Sequence, residues 1–122
     1  MARKSLTKYT QAYQVIIDFT ADTLGVTSHT VIIKDVLRGL CGKRAIVIPE
    51  WVTNKPESLQ VYYCVHEATH LKHSGHGNPF KLAEQLVLKQ FGYTVEYKKA
   101  YIERILKEGR EVYRHWYGDT RP

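Results

Sequence analysis

From Leu59 to Leu71 the chain is apolar at almost every position: Leu59, Val61, Tyr62, Tyr63, Cys64, Val65, Ala68 and Leu71. Wound as a helix, these positions go all the way round, and a helix apolar on every side belongs in the middle of a fold. Three ionisable side chains interrupt it: His66, Glu67 and His70. Burying such groups is costly unless something compensates them. Four residues apart, the two histidines share a face and sit about 6 Å apart along the axis, a gap that one zinc ion with Zn–N bonds of about 2.1 Å can bridge. The stretch His66-Glu67-Ala68-Thr69-His70 is therefore an H-E-x-x-H pattern, in which the glutamate handles a metal-bound water. Whatever this chain folds into must bury this helix and leave one face of it open to a metal ion.

A third ligand has to come from downstream. His73 returns to the same helical face, but seven residues climb about 10.5 Å, too far for three stacked imidazoles to converge on one ion. The chain must turn first, and His76 lies between Gly75 and Gly77, where it can. His76 is the favoured third ligand. Glu84, about one turn into the next helix, is the main alternative, as in sites built from two histidines and a carboxylate, and His73 is a weaker one. His29 and His115 read as ordinary strand and helix residues.

The other segments supply the surroundings. Ser5 is a candidate N-cap for a first helix in which Leu6, Tyr9, Tyr13, Ile16, Ile17, Thr20 and Leu24 repeat at helical spacing until Gly25 stops it. Residues 26–36 are rich in β-branched side chains and read as a strand; 37–43, with Gly39 and Gly42, as a loop; 44–48 as a second strand ended by Pro49. Their short connection suggests an antiparallel pair, with room for a third strand. Pro56 opens the buried helix, which the pattern carries to about Lys72. Pro79 opens another, with Phe80, Leu82, Ala83, Leu86, Val87 and Phe91 as its apolar positions and Gly92 at its end. A last helix is expected over about 95–116. The sum is an α+β fold: an N-terminal helix, a small, mainly antiparallel sheet, the motif helix, then two C-terminal helices.

With 122 residues the chain is expected to be one domain, 1–122, large enough for a core of its own. Two cysteines, Cys41 and Cys64, are too few for a disulfide framework and read as reduced and mostly buried. No apolar run reaches the roughly 20 residues of a membrane span, and the N-terminus lacks the apolar core of a signal peptide, so a cytoplasmic location away from membranes is expected. The net charge of +6 gathers at the ends, with +2 over residues 1–20 and +3 over 97–122. The basic termini are thus candidates for nucleic-acid contact, although lysine, arginine and glutamate interspersed on a helix usually make a solvated face.

Ala45-Ile46-Val47-Ile48-Pro49, then Val65-His66-Glu67-Ala68-Thr69-His70-Leu71-Lys72-His73, then His76 and Phe80 together resemble the small zincin-type families called WLM, YgjP-like and SprT-like. The pattern H-E-x-x-H-x5-H-x3-F falls on His66, Glu67, His70, His76 and Phe80. Its ligand spacing is also that of the metzincins, but His73 stands at their glycine position and Met1 is the sole methionine, so a Met-turn is missing. The resemblance covers roughly residues 44–92. It implies a minimal zincin core, His66, His70 and His76 as zinc ligands, and Glu67 as the base of a metallopeptidase that hydrolyses peptide bonds. By analogy, residues 44–48 would border the cleft and pair with an extended peptide or protein substrate. The similar minigluzincins, which use a carboxylate ligand and keep a C-terminal segment over the cleft, keep Glu84 open and make residues 95–122 a candidate lid.

Other expectations follow from the same residues. A SprT- or WLM-like enzyme would act on proteins attached to DNA held by the basic termini. A YgjP-like hydrolase of nucleotides finds no glycine-rich phosphate loop here. A non-catalytic zinc-binding regulatory module is the remaining alternative. For the oxyanion donor, Tyr62, Tyr63, Tyr93, Tyr97, Tyr101 and Arg104 are unranked candidates.

Overall fold

The apolar-all-round segment forms helix α2 (Glu57–Thr69), and it is central to the fold. Leu59, Val61, Cys64, Val65 and Ala68 are all buried on it. It packs against two other helices, α1 (Thr7–Leu24) and α3 (Asn78–Gln90), and against a small sheet. The computed structural model describes residues 5–93. The expected last helix and candidate lid, with Tyr97, Tyr101, Arg104 and His115, and the basic residues Arg3 and Lys4 lie outside the described residues. None of the helices described is long and apolar enough to cross a membrane.

Helix α1 buries the stripe its spacing predicts, Tyr13, Ile17, Thr20 and Leu24, and closes at Gly25, where Val26 N–H donates to the Ala21 carbonyl. Its start differs from expectation. Leu6 holds the cap position, no side chain caps the helix, and Ser5 is an exposed residue one place too early.

The fold is α+β, with three helices and a three-stranded sheet among the described residues. Strand β1 (Thr30–Lys34) pairs in parallel with β3 (Ala45–Pro49), in the register Val31 to Ile46 and Ile33 to Ile48. The two longer strands are thus not an antiparallel pair. The segment read as a loop crosses the sheet and lays down a two-residue strand, β2 (Leu40–Cys41), antiparallel on the far side of β3. The crossing needs a close approach at Gly39. A Cβ there would sit 2.5 Å from the Val47 carbonyl oxygen and 2.8 Å from the Tyr63 ring. Gly39→Ala should therefore destabilise the fold by about 1–3 kcal/mol, as overpacking does. Denaturant unfolding checks this: a lower midpoint at an unchanged slope is expected.

Helices cover one face of the sheet. Val31, Ile46 and Ile48 join Tyr13, Ile17, Leu59, Cys64 and Ala68 in one core cluster. Leu24, Val61, Tyr62, Val65, Val87 and Leu88 make a second between α1, α2 and α3. At the outer edge of β1 the Gln14 side chain of α1 accepts from Val31 N–H and donates to the His29 carbonyl, which blunts that edge against further pairing. Helix α3 is turned differently from its apolar pattern. Phe80, Val87 and Leu88 are buried, but so is Glu84, while Leu82 and Leu86 are 68% and 51% exposed. Residues two places either side of Glu84 lie about 160° round the helix from it, so burying Glu84 turns both leucines outward.

Candidate metal centre

The helix expected from Pro56 to about Lys72 stops early, at Thr69, and the shortening builds the site. His70 takes the cap position, and the chain tightens there: His70 N–H reaches the Glu67 carbonyl and Leu71 N–H that of Ala68. Gly75 follows with φ +71°, a conformation that glycine adopts freely and that costs other residues of order 1 kcal/mol. This turns the chain back. Gly77 caps α3, Pro79 stands in its first turn, and His76 is left facing the end of α2.

The ligand atoms of His66, His70 and His76 lie within 4.8 Å of one another, and this set can hold a metal ion. His66 Nε2 and His76 Nε2 are 3.2 Å apart. Two nitrogens bound tetrahedrally at about 2.1 Å would be about 3.4 Å apart, so this pair has nearly the spacing that a small divalent ion imposes. Beneath them sits Phe80. Its buried ring touches all three imidazoles, with centroids 5.0 Å from His66, 4.5 Å from His70 and 5.0 Å from His76. The ring thus lays an apolar surface against the cluster.

The far nitrogens of His66 and His70 are held too. His66 Nδ1 lies 2.6 Å from Glu84 Oε2 and 3.1 Å from the Tyr62 hydroxyl. His70 Nδ1 lies 3.1 Å from the His73 carbonyl oxygen. With Nδ1 engaged in this way, Nε2 is the nitrogen left for a metal. Burial holds the His70 pKa below the usual histidine range, against an opposing pull from the His73 carbonyl, and a neutral imidazole is the form that binds metal.

Both rivals for third ligand are thereby placed. Glu84 touches the back of His66, and His73 contributes its carbonyl; neither belongs to the cluster. Glu67 is 8% exposed on the same helix. Burial raises its carboxyl pKa, the neighbouring His66 lowers it, and Glu84 raises it further. Burial raises the thiol pKa of half-buried Cys41 of β2, and the Glu67 charge raises it further. Both cysteines are free and Cys64 is fully buried.

Other expected site residues fall elsewhere. Tyr62 stands behind His66, and the Tyr63 hydroxyl accepts from Gly39 N–H. Burial pushes the Tyr63 phenol up to about 12. Tyr93 packs on the second core cluster. Residues 44–48, expected to offer a free edge to substrate, form most of β3, which is flanked by β1 on one side and β2 on the other. The outer strand across β3 from β1 is β2, which also carries Cys41. Comparison with protein-family models, curated proteins and solved structures returns no match.

Proposed function

We propose that this chain is a zinc-dependent metallopeptidase, a hydrolase of peptide bonds with Glu67 as its general base. The observation that carries the reading is the three-histidine cluster at the end of a buried helix whose next residue after His66 is a buried carboxylate. Three imidazoles with no thiolate or carboxylate among them are a donor set that zinc favours, and such catalytic sites keep a fourth position open. Bound there, zinc would supply a Lewis acid and a water of lowered pKa.

The chain's own residues would do the rest. Nε2 of His66, His70 and His76 would hold the ion, with Phe80 closing its inner side. Glu67 would accept a proton from the attacking water and pass it to the leaving amine, and burial, which raises its carboxyl pKa, makes it a stronger base. With β3 enclosed, an extended substrate would lie along β2, and main-chain pairing there would hold it in register.

The test is hydrolysis of a mixed peptide library by the purified chain. Cleavage that a chelator abolishes and stoichiometric zinc restores is expected. Cleavage that persists after complete zinc removal would contradict the reading.

A further inference from the structure

We propose that Glu84, assisted by Tyr62, is a positioning residue for the metal site: it holds the proton on His66 Nδ1 and so fixes both the tautomer and the angle at which His66 presents Nε2. This rests on the metal-site reading above and adds a role that helix α3 has in it.

Three observations carry the proposal. The first is the contact, Glu84 Oε2 at 2.6 Å from His66 Nδ1, with the Tyr62 hydroxyl 3.1 Å from the same nitrogen. The second is burial. Glu84 is 1% exposed and Tyr62 7% exposed, so the pairing is shielded from water, and a buried carboxylate needs a partner to be tolerated at all. The third is the phase of α3. This helix carries Leu82 and Leu86, yet it turns both outward and places a carboxylate among Phe80, Val87 and Leu88. That phase buries Phe80, Val87 and Leu88, and Glu84 is the charged residue on the buried face, where an apolar side chain would gain burial without needing a partner. A carboxylate at this buried position makes sense if it is required at His66.

The chemistry is that of a carboxylate–histidine pair. With Nδ1–H donated to Glu84, the lone pair of His66 must be on Nε2, the atom that faces His76 at 3.2 Å. The carboxylate also makes the imidazole a stronger donor. Without it, either tautomer is available to His66, and the ring can turn about its side-chain bonds.

Two readouts test this, one of them without metal. Zinc affinity is measured by competition with a chromophoric chelator for wild type, Glu84→Gln, Glu84→Leu and Tyr62→Phe. Glu84→Gln, nearly isosteric and still able to accept a hydrogen bond, should bind about 10–100-fold more weakly, in the range that loss of such outer partners produces. Glu84→Leu should lose more, and Tyr62→Phe should shift in the same direction by less. In the metal-free protein, nitrogen-15 NMR should show His66 as the Nδ1–H tautomer in wild type and as a mixture in Glu84→Leu. A wild type that binds no zinc contradicts the metal-site reading itself. Wild-type binding with an unchanged Glu84→Gln affinity overturns the positioning role alone. So does a lowered metal-free melting temperature with unaltered zinc affinity, which would mark Glu84 as merely structural.

Discussion

Replacing Glu67 with glutamine should leave zinc bound at wild-type stoichiometry and reduce peptide hydrolysis by about 10²–10⁴-fold, the range attributed to a positioned general base. The substitution keeps shape and volume at a site that is 8% exposed, so packing is undisturbed. It removes a carboxyl pushed up by burial and by Glu84, and held down by His66, so an uncharged amide should fit without loss of stability. The loss should fall on kcat rather than KM, because proton transfer belongs to the transition state. Zinc content and steady-state kinetics on the same preparation check it. Undiminished turnover would remove Glu67 from the mechanism.

The second large effect concerns the ligands. His66→Ala and His70→Ala should each weaken zinc binding by more than about 100-fold, beyond what loss of an outer partner costs, since a donor atom itself is gone. His66→Ala carries a further penalty: it leaves the Glu84 carboxylate buried opposite an empty space, without its 2.6 Å contact to Nδ1. The metal-free melting temperature should therefore fall for His66→Ala and stay near wild type for His70→Ala, whose ring is half-buried and whose contact is to a backbone carbonyl. Calorimetry on the chelator-treated variants separates the two. His76→Ala, at an exposed position in the turn, should cost metal affinity and almost no stability.

Much of this centre was legible in the sequence, for physical reasons. The spacing of His66 and His70 encodes one helical turn, and their apolar neighbours told that the turn is buried. A third ligand must follow a reversal of the chain, which selects His76 over His73, and Gly75 at φ +71° makes that reversal. What spacing could not express is distance between elements. Glu84 was visible as a carboxylate one turn into α3, but whether it meets the open Nε2 side of the cluster or the back of His66 depends on how α2 and α3 pack. The same packing decides the phase of α3, which is why Leu82 and Leu86 read as core positions and are exposed.

The sheet shows the other kind of limit. The α+β layout and the two longer strands follow from their β-branched residues, whereas β2 has only Leu40 and Cys41 between glycines, too short to show any alternation. Without β2, a short connection between two strands implies a hairpin. With it, the chain crosses the sheet, β1 and β3 run parallel, and the free edge passes from residues 44–48 to residues 40–41. The key to that crossing is Gly39, whose closeness to the Val47 carbonyl leaves no mark in composition or periodicity.

The central claim is that His66, His70 and His76 hold one divalent ion through imidazole nitrogen. Titration of the metal-free chain with cobalt(II), followed by visible absorption, tests it most directly. Saturation is expected at one equivalent per chain, with a tetrahedral or five-coordinate spectrum lacking the intense charge-transfer band of a thiolate, and loss of that spectrum in the triple variant with alanine at positions 66, 70 and 76. A spectrum unchanged in the triple variant, or no binding at one equivalent, would contradict it.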